Sequence, residues 1–144
     1  MHNHKEKLWS CTTSHEIDTD KLIESRFCNT VTPYILFLDG ELGSGKTYVC
    51  KKIAKQKNIN NITSSSFSKM NIHSGDVKII HADFYNISDP EGFLYNEICP
   101  QISQKSILLA EWLNHYYPLG IVAYKLEITV LKNNKRKFSL FKLY

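Results

Sequence analysis

The sequence predicts a three-layer α/β fold, with a mixed central sheet, helices on both faces and an antiparallel hairpin at the C-terminal end. Three observations carry this. Two short apolar runs without alternation, Tyr34-Ile35-Leu36-Phe37-Leu38 and Ile107-Leu108-Leu109-Ala110, read as strands buried on both faces, as parallel strands under helices are. Stretches with apolar residues three and four apart read as amphipathic helices. Near the end, Tyr124 to Val130 and Lys137 to Leu143 alternate strictly around Asn133-Asn134, the pattern of a hairpin. At 144 residues, one domain spanning 1–144 is expected, with a single core around one sheet.

Taken in order, residues 1–14 show no period and read as irregular or as a short edge strand around Leu8-Trp9-Ser10-Cys11. From Ile17 the stripe Ile17, Leu22, Ile23, Phe27 predicts a helix ending near Asn29, with Asp18 or Thr19 as its N-cap. Strand Tyr34 to Asp39 leads into a Gly-rich loop, and Thr47 to Lys57 follows as a helix, with Val49, Ile53 and Ala54 on one side and Lys51, Lys52 and Lys55 on the other. The hydroxyl-rich segment Ile62 to Ser68 precedes two strands, near Phe67 to His73 and Val77 to Phe84, that flank Ser74-Gly75-Asp76. Ser88-Asp89-Pro90-Glu91 is a helix start, with Pro at the first position and an acid in the first turn, and the helix runs to Cys99 before Pro100. The run from Ser106 then closes on Glu111 and Trp112.

Composition narrows the class. With 42% hydrophobic and 22% charged residues the chain reads as a globular protein, and no apolar run approaches the roughly 20 residues of a membrane span. The polar start, Met1 to Lys7, lacks the apolar stretch of a signal peptide, so a cytoplasmic protein without membrane contact is expected. A net charge of +4 is too mild to argue for DNA binding. The basic cluster Lys132, Lys135, Arg136 and Lys137 reads as a solvated turn, leaving any contact with nucleic acid indirect or weak. Cys11, Cys28, Cys50 and Cys99 have no C-x-x-C spacing and read as buried or incidental thiols rather than a zinc site or a disulfide framework.

The chemistry centres on Gly40-Glu41-Leu42-Gly43-Ser44-Gly45-Lys46-Thr47, which fits G-x-x-x-x-G-K-[ST] between a strand and a helix and so predicts a P-loop NTPase-like fold. Glycines let backbone N–H groups curl around phosphate oxygens, and the helix start adds the positive end of its dipole. Lys46 supplies a mobile charge for the outer phosphates, and the Thr47 hydroxyl suits a Mg²⁺ ligand position. In Ile79 to Tyr85, alternation sends His81, Asp83 and Tyr85 to one side, which can set the Asp83 carboxylate beside the loop. Glu111, closing a buried strand, is placed to deliver a second carboxylate to the metal side.

With these residues in place the chain resembles the TsaE (YjeE) family of small bacterial ATPases, which help make threonylcarbamoyladenosine in tRNA. The resemblance spans roughly residues 15–143 and rests on Leu38 to Thr47, on Thr63-Ser64-Ser65-Ser66-Phe67, on His81-Ala82-Asp83-Phe84-Tyr85 and on Glu111-Trp112. It implies ATP phosphates on Gly43, Ser44, Gly45, Lys46, Thr47 and Tyr48. It further implies Mg²⁺ at Thr47 and Glu111, Asp83 as a catalytic or metal-linked carboxylate, and a functional Trp112. Thr19 with Glu16, and Arg136 with Lys135, occupy positions that lie near the nucleotide in such relatives. TsaB and TsaD are the implied partners. The chain departs from the family pattern at Ser65, usually Pro, and at Asn86, usually Arg.

Arg26 and Arg136 are the only arginines. Phosphoryl transfer draws on planar guanidinium donors, so slow turnover alone and acceleration by a partner are expected. Two other readings share the loop: a small-molecule kinase, which would need an arginine-rich lid, and a nucleotide-dependent interaction protein without hydrolysis.

Overall fold

The computed structural model describes residues 4–62, 69–113, 115 and 118–144. In chain order the main elements are β1 (Lys5–Thr13), α1 (Glu16–Phe27), β2 (Tyr34–Asp39), α2 (Lys46–Gln56), β3 (Met70–Ser74) and β4 (Lys78–Asp83). A one-turn helix α3 (Pro90–Gly92), β5 (Ser106–Glu111), β6 (Val122–Val130) and β7 (Arg136–Leu143) follow. The strands form one seven-stranded mixed sheet in the order β1-β7-β6-β2-β5-β4-β3. β2 lies at its centre with parallel neighbours β5 and β6, and β4 runs parallel to β5. Antiparallel pairings complete both edges: β3 on β4 at one, β7 on β6 and β1 on β7 at the other.

Alternate residues of β2 feed two separate cores. Tyr34, Leu36 and Leu38 pack with Ile23 and Phe27 of α1 and Val49 and Ile53 of α2. Ile35 and Phe37 pack on the opposite face with Phe93, Leu94 and Ile98. Burial on both faces explains why β2 and β5 are apolar without alternation. It also fixes the functional end of the sheet. β2, β4 and β5 are parallel and in register, with Leu38 opposite Glu111 and Asp83 opposite Glu111, so the loop after β2 and both carboxylates emerge at one edge.

Several expectations are corrected. Of the two readings of the N-terminal residues the edge strand holds, but it is longer than expected: Lys5–Thr13 is a nine-residue strand whose register jumps between Lys7 and Trp9. α1 begins at Glu16 and ends at Phe27, its N-cap is His15 without a side-chain bond, and Ile17 is exposed. Neither Asp18 nor Thr19 caps it, because the Thr19 hydroxyl pairs with that of Thr13 at 2.7 Å. α2 begins one residue earlier than expected and Trp112 falls outside β5.

The helix expected from Ser88 to Cys99 is instead α3, a π turn (Phe93–Ile98) and a 3₁₀ turn (Cys99–Gln101). Asp89 is its N-cap, accepting from the Gly92 N–H at 3.0 Å. The wider π turn places residues five apart on one face, which lets Phe93 and Ile98 enter the core together. The hydroxyl-rich segment, residues 63–68, lies outside the described residues, Ser65 included. Among the described residues no helix is long and apolar enough to cross a membrane.

Candidate functional site

The Gly-rich loop leaves β2 and doubles back against β6. A Cβ at Gly40 would overlap the Ser44 hydroxyl and stand 2.9 Å from the Ile128 carbonyl, so the loop closes only around glycine. Gly45 caps α2 at φ 113°, where an L side chain is strained. The first helical bond runs from the Val49 N–H to the Gly45 carbonyl at 3.0 Å. That leaves the N–H groups of Lys46, Thr47 and Tyr48 outside the helical ladder, at its positive end.

One cavity, about 500 Å³, opens between this loop and the ends of β4 and β5, and Thr47, Asp83 and Glu111 all line it. The Thr47 Oγ1 lies 3.4 Å from Oε1 and 3.5 Å from Oε2 of Glu111. Glu111 is only 6% exposed and is hydrogen-bonded to the Nε2 of His81, itself 3% exposed. Asp83 accepts the Tyr85 N–H at 2.9 Å. A hydroxyl and two carboxylates make an oxygen donor set that fits Mg²⁺.

Lys46 lines the same cavity, 6% exposed. Its ammonium donates to the Gly40 carbonyl and, at 3.2 Å, to that of Glu41, and lies 3.8 Å from the Trp112 ring centroid. Burial lowers its pKa, opposed by the carboxylates of Glu111, Asp39 and Asp83. Trp112 reaches this position because the chain turns sharply after β5, at φ 62°, and its ring also meets Tyr85 at 5.2 Å. Cys50, one helical turn beyond Lys46, is fully buried, and burial followed by the Glu111 charge pushes its thiol pKa up.

A second cavity, about 360 Å³, lies on the other side of the loop, and Gly45 lines both. Its walls include Glu16 and Thr19 of α1, Tyr48 of α2 and Arg136 of β7. The Arg136 Nε donates to the Ser44 carbonyl at 2.9 Å, pinning the loop from this side. The Tyr48 hydroxyl donates to Asp20, and burial and that bond raise its pKa. Among the described residues the buried Ser44 Oγ has no partner, a donor that fits an anionic ligand on the loop.

The predicted residues therefore divide. Gly43, Gly45, Lys46, Thr47, Asp83, Glu111 and Trp112 line the carboxylate cavity, while Glu16, Thr19, Ser44, Gly45, Tyr48 and Arg136 line the second. Lys135 lines neither, being exposed beyond the turn Lys132–Asn134, and Asn134 stands in the second cavity in its place. Arg26 stacks 5.3 Å from the Trp9 ring, so neither arginine lines the carboxylate cavity. Asn86 adopts φ 59° and lines a separate surface cleft. Sequence reasoning missed His81 as a partner of Glu111, although its alternation with Asp83 places both on one face. It also missed Thr13, which Thr19 bonds.

A family model described as threonylcarbamoyl adenosine biosynthesis protein TsaE matches residues 13–138. The chain is 34% identical over 131 residues to the tRNA threonylcarbamoyladenosine biosynthesis protein TsaE of Aquifex aeolicus, covering 88% of this chain and 91% of that protein. It is also 34% identical over 115 residues to the protein of the same name from Rickettsia prowazekii, covering 75% and 77%. The crystal structure of Bacillus subtilis YdiB superposes with a TM-score of 0.69 at 18% identity, over 99% of this chain and 88% of that one, a likeness of fold. With the match running from the last residue of β1 into β7 and taking in the loop and both carboxylates, the chain belongs to the TsaE family.

Proposed function

We propose that this chain is a Mg²⁺-dependent ATPase of P-loop NTPase-like fold, acting in the cytoplasm with TsaB and TsaD in the biosynthesis of tRNA threonylcarbamoyladenosine. Contact with tRNA is indirect or weak. The observation that carries this reading is the meeting of Thr47, Asp83 and Glu111 with the first turn of α2 around one cavity.

The N–H groups of residues 43–48 and the Ser44 hydroxyl hold the phosphates, and the second cavity takes the nucleoside between Tyr48 and the Thr13–Thr19 pair. Thr47 and Glu111 hold Mg²⁺, which when bound neutralises charge on the outer phosphates. His81 fixes the Glu111 carboxylate through its hydrogen bond. Asp83, beside Glu111 in the sheet register, orients water or the metal's ligand shell. Lys46 reaches the outer phosphates by leaving the Gly40 and Glu41 carbonyls, and Trp112 covers the cavity mouth beside it.

Nothing in the carboxylate cavity offers a guanidinium to charge developing on the transferred group. Arg136 is engaged with Ser44 on the nucleoside side. Turnover by the chain alone is therefore slow, and TsaB with TsaD raises it. Phosphate release from ATP, measured with and without candidate TsaB and TsaD, tests this. Stimulated release supports the reading; transfer to a small-molecule acceptor, or no release in either mixture, rejects it.

A further inference from the structure

Beside the carboxylate cavity, three donors of different chemistry converge. The Cys50 Sγ from α2, a ring nitrogen of His81 from β4 and a carboxylate oxygen of Glu111 from β5 all lie within 4.8 Å of one another, and all three residues are buried. Cys50 stands four residues after Lys46 and three after Thr47, so it sits one turn further along the same helix face. His81 and Asp83 share one side of β4, and Glu111 is the register neighbour of Asp83. The linear sequence hides this grouping, since each donor comes from a different element.

We propose that Cys50, His81 and Glu111 form a binding site for a thiophilic divalent cation of the Zn²⁺ type, whose occupation withdraws Glu111 from Mg²⁺ and stops turnover. The donors decide the cation. A thiolate, an imidazole and a carboxylate are the mixture zinc accepts, whereas Mg²⁺ selects oxygen alone. Tetrahedral zinc, with bonds of about 2.0–2.3 Å, separates its ligand atoms by about 3.4–3.6 Å, so His81 and Glu111 open from hydrogen-bond distance while the Cys50 sulfur, no more than 4.8 Å from either, closes on them. The cation takes the place of the hydrogen bond between His81 and Glu111. The thiol proton passes to solvent as the sulfur–metal bond forms. His81 and Glu111 both line the carboxylate cavity, which gives the cation entry and leaves its fourth position facing water there.

The withdrawal of Glu111 rests on the proposed ATPase reading; the binding of the cation does not. Co²⁺, a spectroscopic stand-in for Zn²⁺, is titrated into the full chain without nucleotide. One equivalent is expected to give the sulfur-to-cobalt charge-transfer absorption in the near ultraviolet. The band is expected to persist in the triple variant Cys11→Ser, Cys28→Ser, Cys99→Ser and to vanish in Cys50→Ala. A band that survives Cys50→Ala, or is missing from the triple variant while its circular dichroism is unchanged, overturns the site. In the phosphate-release assay, half-inhibition by Zn²⁺ should need about tenfold more cation or above in Cys50→Ala than in the wild type. Equal inhibition of the two overturns the withdrawal of Glu111, and the Co²⁺ spectra decide the site even if the chain hydrolyses no ATP.

Discussion

On one side of the Gly-rich loop the walls are charged and mostly buried: Glu111 bonded to His81, Lys46 turned onto loop carbonyls, and Asp83 half-buried beside them. On the other they are mostly neutral hydroxyls and aromatic surface, with the one arginine spent on the Ser44 carbonyl. Buried charges hold metal and steer charge during reaction, and removing one leaves its partner uncompensated. Hydroxyls and rings give contact area and orientation, whose loss is graded. The carboxylates of the first side should therefore fail in turnover and metal requirement, whereas the second side, like Lys46 and Trp112 where the first meets the phosphates, should fail in nucleotide affinity.

The largest expected effect is that of Glu111→Gln. Turnover should fall by about a hundredfold or more, while nucleotide affinity measured in a chelator changes little. An equal loss in both would erase the division between the cavities. Next is Lys46→Met, which removes the charge for the outer phosphates and should weaken ATP binding roughly ten- to a hundredfold by calorimetry.

The same substitution carries a pH signature. Burial lowers the Lys46 pKa below the ordinary 10.5. Between the lowered and the ordinary value the unfolded chain binds more protons than the folded one, so this group's contribution to stability rises with pH. Denaturant titrations should show the wild type gaining on Lys46→Met as pH increases through that window. A gap independent of pH would mean that Lys46 is not desolvated.

On the hydroxyl side, Thr19→Val leaves the Thr13 hydroxyl without its partner. A stability loss of about 1–2 kcal/mol is expected, with affinity reduced and saturated turnover unchanged. A fall in saturated turnover would assign Thr19 to the reacting end. Smallest is Trp112→Phe, whose weaker cation–π contact with Lys46 should change nucleotide affinity about two- to fivefold. In a Trp9→Phe background, Trp112 fluorescence should respond to ATP; a flat signal at saturation would separate the ring from the site.

The loop and the two carboxylates were legible because each is a residue type at a fixed spacing beside a local pattern: glycines and Lys46 after an apolar strand, Asp83 and Glu111 at strand ends. β1 was not legible. Lys5, Glu6 and Lys7 stay exposed on an edge strand, and their pairing with Leu143, Lys142 and Phe141 leaves no local trace. Lys135 was expected at the nucleotide because it neighbours Arg136. Both residues lie in extended backbone after the turn, where successive side chains point to opposite faces, so Arg136 enters the second cavity and Lys135 does not. The break in the helix after Gly92 followed from core demand, since Phe93 and Ile98 both point inward. His81 beside Glu111, and Cys50 behind them, are products of three elements meeting.

The most direct test of the central claim is a Mg²⁺ titration of ATP hydrolysis, in the presence of TsaB and TsaD, on the wild type, Asp83→Asn and Glu111→Gln. Wild-type turnover should rise and saturate with Mg²⁺, and both variants should lose turnover or need far more Mg²⁺. Unchanged Mg²⁺ dependence in both variants would contradict the assignment of these carboxylates to a metal-assisted phosphate site.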